Sequence, residues 1–225
     1  EILGVYGLMG SGRSELYECL MGLHKEAKGR VILDGEDISK GTVGDHIKKG
    51  MALIPEDRQR EGLVQSLSVA HNMTLASIWK FIKVFHIVGN WAKQAVLKMI
   101  KDLSIKVPNP QVLISSLSGG NQQKVVIGKA LLTSPKVLLM DEPTRGIDVG
   151  AKADVFDIMH DMARKGIGII FVTSELKEIM AIADRILVMS KGQITGEWKR
   201  QDACEEDLVV ASAVGHKSVN QTLHQ

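Results

Sequence analysis

Three short runs, VLLM at 137–140, IGIIFV at 167–172 and ILVM at 186–189, are apolar from end to end. A strand with one face in water alternates apolar and polar residues. A strand without alternation is covered on both faces, the habit of a parallel sheet packed between helices. Between the first two runs, residues 149–165 carry a helical stripe of Val155, Phe156, Met159 and Ala163. Asp148 is placed to cap the start of that helix and Gly166 to end it. Strand, helix and strand in this order make a parallel crossover, so the chain is expected to be α/β.

The first residues supply another strand and its exit. ILGVY at 2–6 leads into GLMGSGRS at 7–14, and RSELYECLMG at 13–22 reads as a helix beginning at that loop. The spacing from Gly7 through Gly12 to Ser14 is that of a phosphate-binding loop, with Gly10 and Ser11 inside it, but Arg13 stands where lysine is expected. Unpaired amides at a helix start point at an anion and the helix dipole favours its charge, so the candidate ligand is the phosphate of a nucleotide. Residues 29–38 contain an Asp-Gly turn between apolar runs and read as an antiparallel hairpin. MALI at 51–54 is a strand stopped by Pro55. From about 66 to 132 the signals are helical. The expected layout is a mostly parallel core, about 1–65 and 133–215, with a small antiparallel part, an inserted helical subdomain at 66–132 and a loose polar tail at 216–225.

Composition sets limits. The 225 residues carry 28 basic and 26 acidic side chains, a net charge of +2, without the basic stripe that nucleic-acid binding needs. The two cysteines, Cys19 and Cys204, lack metal-ligand spacing and suit a reducing compartment. No apolar run is long enough to span a bilayer, so a membrane role would need a partner to supply the membrane part. The sequence opens at EILGVYG directly in a strand, which suggests the interior of a larger protein.

KVLLMDEPT, at 136–144, is an apolar strand ending in two acids, the Walker B arrangement. Asp141 can hold the shell of a Mg²⁺ ion for which Ser14 is the hydroxyl ligand, and Glu142 can polarise an attacking water. These motifs make the expected fold a P-loop NTPase.

LSGGNQQK, at 117–124, strongly resembles the signature sequence of the ABC-transporter ATPases, with Asn121 in the usual glutamine position. Ser118, Gly119 and Gly120 offer a hydroxyl and bare amides at a helix start. In that family this surface closes over the γ-phosphate of ATP held by a partner cassette, so two sites form at a head-to-tail interface. Asp148 joins the nucleotide-binding set. PEDRQREGL at 55–63 and DEPTRGIDVGAK at 141–152 look more narrowly like the C-terminal half of tandem ATPases that drive bacterial monosaccharide importers. The resemblance implies an N-terminal cassette in the same polypeptide, membrane permease subunits, indirectly a sugar-binding protein, and a place on the cytoplasmic face of the inner membrane. It also implies an adenine-stacking aromatic upstream of Glu1.

Three phosphate- or metal-facing positions depart from that family together. Arg13 replaces lysine, Glu56 stands in the glutamine position after the strand, and Ser174 stands in the place of the switch histidine. Lysine places a point charge between phosphates, whereas the larger fork of arginine cannot occupy the same point. Nucleotide binding is expected to survive here and efficient hydrolysis is not. SIWKFIKVFHIVGNW, at 77–91, is rich in large apolar groups and reads either as subdomain core or as a docking surface. Two other functions stay open: a soluble ATPase acting on nucleic acid or ribosomes, and a regulatory module without turnover.

Overall fold

In the computed structural model, which describes residues 1–83, 86–87 and 89–215, the apolar runs become the middle of a six-stranded sheet. β1 (Ile2–Gly7) passes through a loop into α1 (Arg13–Leu20). β2 (Ile32–Leu33) and β3 (Glu36–Asp37) form a separate hairpin. It turns at Asp34 and Gly35, with φ of 50° and 80°, the left-handed pair that a two-residue turn requires. α2 (Val43–Lys49) leads to β4 (Met51–Ile54), which ends at Pro55 as expected.

The stretch read as helical contains α3 (Val69–Thr74), α4 (Gly89–Asp102) and α5 (Gly119–Leu131). It is also interrupted by a short antiparallel pair, β5 (Ile82–Lys83) and β6 (His86–Ile87), which corrects the all-helical expectation. Of the 77–91 segment, Ser77 and Phe81 are buried while Ile78, Trp79 and Trp91 are exposed. The side chains of 82–89 lie outside the described residues, as does the 216–225 tail. The second half runs β7 (Val137–Asp141), α6 (Val149–Arg164), β8 (Gly168–Thr173), α7 (Leu176–Ile182), β9 (Arg185–Ser190), β10 (Gln193–Lys199) and α8 (Glu205–Ser212).

The sheet order is β10-β9-β1-β8-β7-β4, parallel throughout except for β10 at one edge. Neighbouring residues along each strand enter opposite layers. Leu138, Met140 and Phe171 face a core completed by Val155 and Met159 of α6 and Ile179 of α7. Leu139, Val172 and Val5 face a second core with Tyr17 of α1. Both layers bury their side chains, which is why the runs do not alternate. Each such side chain contributes about 1.5–3 kcal/mol relative to exposure.

This topology gathers the chemistry. Tyr6 pairs with Thr173 and Asp141 with Val172 across adjacent parallel strands. The phosphate loop after β1, the two acids at the end of β7 and Ser174 after β8 therefore leave the same carboxyl edge, where open α/β sheets bind ligands.

Candidate nucleotide site

The loop between β1 and α1 is shaped by its glycines. Gly10 and Gly12 have φ of 77° and 92°. A Cβ on Gly7 would lie 2.6 Å from both the Met189 carbonyl and Ser11 Oγ. The Ser11 carbonyl accepts from the Gly192 amide at 2.8 Å, which fixes the loop on the β9–β10 turn. Gly12 is the N-cap, so no cap side chain covers the first amides of α1, and these are free to meet an anion.

Ser14 Oγ donates to Asp141 Oδ2 at 2.7 Å, joining the loop to the end of β7. Asp141 Oδ1 is buried without a partner, and burial raises the Asp141 pKa against the opposing influence of Ser14 and Arg13. A hydroxyl beside an orphaned carboxylate oxygen is a donor set that fits a hard divalent cation.

Arg13 lines the cleft with its guanidinium turned toward Glu142. It is buried, and its Nη2 lies 3.5 Å from Glu142 Oε1, with only 9% and 12% of the two side chains exposed. Its Nη1 has no partner. The same Glu142 oxygen accepts from the Ser174 amide at 2.9 Å. Burial raises the Glu142 pKa, opposed by the Ser174 hydrogen bonds and the Arg13 charge. Glu142 is thus gripped from both sides, and the residue in the histidine position contributes its backbone.

Glu56 meets a cation here: its carboxylate pairs with Arg145. Arg58, two residues on, donates to the carbonyls of Arg145 at 2.7 Å and Gly146 at 2.9 Å. A further set escaped sequence reasoning. Glu178 is buried and accepts from Thr173 at 2.9 Å, from Lys152 at 2.9 Å and from the Thr144 hydroxyl, which lies 2.8 and 2.9 Å from its two oxygens. It ties the loop after β7, the end of β8 and α6 together beneath Glu142. Thr144 and Lys152 lie inside the DEPTRGIDVGAK stretch, but only the fold shows that they share a carboxylate.

A cleft of about 510 Å³ is lined by the phosphate loop, Glu56, Glu142, Arg145, Lys152 and Ser174. The remaining candidates are elsewhere. Ser118, Gly120, Asn121 and Asp148 line a separate depression of about 410 Å³ with Lys106 and Lys124. Asp148 belongs to this second face, where it caps α6 by accepting from the Ala151 amide at 2.9 Å. Asn121 donates to Ser118 Oγ at 2.9 Å and accepts from the Lys106 amide at 2.8 Å. The signature glycines have a packing reason as well: a Cβ on Gly120 would lie 2.5 Å from Ala151 Cβ, and one on Gly119 2.8 Å from Arg58 Nη2.

The sequence pattern of the ABC transporter family matches residues 1–145. An arabinose import ATP-binding protein of Pseudomonas savastanoi pv. phaseolicola is 45% identical over 210 residues, 93% of this chain and 41% of that protein. A ribose import ATP-binding protein of Caldanaerobacter subterraneus subsp. tengcongensis is 45% identical over 217 residues, 96% of this chain and 44% of the relative. A xylose import ATP-binding protein of Geobacillus kaustophilus shares 45% over 218 residues, 96% and 43% of the two chains. The chain spans about two fifths of the length of these relatives. Among solved structures, a nucleotide-free ATP-binding cassette from an ABC transporter superposes with a TM-score of 0.76 at 25% identity, covering 94% of this chain and 83% of the other. A dimeric post-hydrolysis cassette bound to ADP and Pi gives 0.77 at 22% identity, over 89% and 85%. At that identity the second likeness concerns the fold alone.

Proposed function

Because this chain belongs to the ABC transporter family, we propose that it is an ATP-binding, energy-coupling cassette of a monosaccharide importer. Its own nucleotide site is weakened, and its signature segment completes the hydrolysing site of a second cassette. Residues 1–215 act as one cassette, with the nucleotide-binding core at 1–65 and 133–215 and the helical subdomain at 66–132. The partners are an N-terminal cassette of the same polypeptide, membrane permease subunits and, indirectly, a sugar-binding protein. The assembly works at the cytoplasmic face of a bacterial inner membrane, without nucleic acid. The relatives' names support the sugar class.

One observation carries the weakened site: Arg13, in the place of the phosphate lysine, is turned to Glu142 at 3.5 Å. A guanidinium beside a carboxylate makes it a weaker base, and Glu142 Oε1 is held by the Ser174 amide with the Arg13 guanidinium 3.5 Å away. When bound, Mg·ATP supplies the phosphoanhydride whose cleavage drives transport. The amides of the glycine loop would cradle its phosphates, Ser14 and Asp141 would hold the metal, and Ser118 with the amides of Gly119 and Gly120 would face the partner's nucleotide. Asn121 fixes the Ser118 hydroxyl.

In the full-length protein, Glu142→Gln should lower steady-state ATPase turnover much less than the matching change in the partner cassette. Equal losses would mean that this site hydrolyses after all. Titration of this chain alone with a fluorescent ATP analogue should give weak, saturable binding, and a nanomolar dissociation constant would contradict the weakened site.

A further inference from the structure

The segment Glu56–Arg58 and the loop Arg145–Gly146 form a closed circuit between the two faces of the chain. The Arg145 side chain lines the cleft and pairs with Glu56, and the Arg145 carbonyl accepts from Arg58. Arg58 also donates to the Gly146 carbonyl. Its guanidinium lies against the first residue of the signature helix, since a Cβ on Gly119 would meet Arg58 Nη2 at 2.8 Å and the Gly146 carbonyl at 3.2 Å. Arg58 Nε is buried without a partner, so the two carbonyl bonds fix the fork.

We propose that Arg145 is a phosphate-binding residue of this chain's cleft, and that Arg58 transmits its position to the signature segment. Of the other basic groups lining the cleft, Lys152 is held by Glu175 and Glu178, and Arg13 is buried beside Glu142 with one nitrogen, Nη1, unpartnered, whereas Arg145 is the exposed one. Arg145 is 62% exposed at its side chain and Glu56 37%, and such a surface pair is weak. A polyphosphate offers several negative charges and the geometry that a guanidinium fork binds bidentately. Arg145 therefore leaves Glu56 for phosphate. Its backbone moves with it, Arg58 follows the carbonyls it holds, and the start of α5 shifts on the face that carries Ser118. Glu56 in turn holds Arg145 whenever no nucleotide is bound.

The proposal rests on the reading that the cleft takes a nucleoside triphosphate, and the test separates the two. Affinity for a fluorescent ATP analogue and amide hydrogen exchange across 118–124 are measured together on the full protein. Arg145→Ala should weaken binding to this cleft about tenfold, and Glu56→Gln should tighten it about threefold. The double variant should behave as Arg145→Ala alone, because Glu56 acts through Arg145. Wild type should show nucleotide-dependent protection at the signature amides. Arg58→Ala should bind nucleotide within about threefold of wild type yet lose that protection. Arg58→Lys, which keeps the charge and one donor but not the fork, should lose it too. Wild-type affinity in Arg145→Ala, no gain in Glu56→Gln, or protection that survives both Arg58 variants would overturn the proposal. Absence of saturable binding in the wild type would remove the nucleotide reading and this proposal with it.

Discussion

Glu142 combines a left-handed backbone, φ 43°, with a carboxyl whose pKa is raised by burial. Both features are costly for a glutamate and persist where surrounding structure enforces them. Here the Glu142 amide donates to the Val172 carbonyl at 3.0 Å and the carboxylate is held by Ser174. Burial raises the folded-state pKa above the unfolded one, so the folded state binds the extra proton between the two values. Stability attributable to this group is therefore greatest in acid. It falls as pH rises from the usual glutamate range through the raised value. Glu142→Gln removes this titration, so wild type should gain melting temperature relative to the variant as pH falls through the raised value. A difference in melting temperature that does not change with pH would show that Arg13 and Ser174 already offset the burial.

Between elements, the packing of α5 on α6 decides a separate question. Gly120→Ala places a methyl 2.5 Å from Ala151 Cβ, so it should destabilise the fold by about 1–3 kcal/mol in urea titration. Gly10→Ala meets nothing within 4 Å but must keep φ of 77°, at about 1–2 kcal/mol from backbone alone. A cost below about 0.5 kcal/mol for Gly120→Ala would mean that the close approach of the helices relaxes freely. The elements also show what was legible in the sequence. β7, β8 and β9 announced themselves because burial on both faces leaves uniform apolar runs. α6 did so through its stripe, its Asp148 cap and Gly166 at φ 89°. α2 and α7 have seven residues each, too short for a helical period to repeat. β10 is an edge strand with largely exposed side chains and a register shift between Ile194 and Gly196, so no apolar pattern marks it. The glycine loop, Asp141 and Glu142 were readable as a candidate site because their pattern is local in sequence, and the fold brings them to one edge of the sheet. Arg58 with Arg145 is not local, since 87 residues separate partners that only the fold unites.

The molecule presents two separate depressions, one beside the glycine loop and one beside Ser118 and Gly120, and on the proposed reading they serve different nucleotides. Ser118 discriminates better than Gly120 here, because Gly120 is packed on Ala151 whereas Ser118 is exposed and its hydroxyl makes no cap hydrogen bond. Arg13→Ala should weaken binding at this chain's own loop about tenfold and leave turnover less affected. The decisive measurement is the steady-state ATPase rate of Ser118→Arg in the assembled transporter, taken alongside nucleotide binding at this chain's loop. A bulky cation at that position blocks closure over a nucleotide held by the partner cassette. Turnover should fall at least about a hundredfold while binding at this loop stays at the wild-type level. Full turnover in Ser118→Arg would contradict the claim that this chain completes its partner's site.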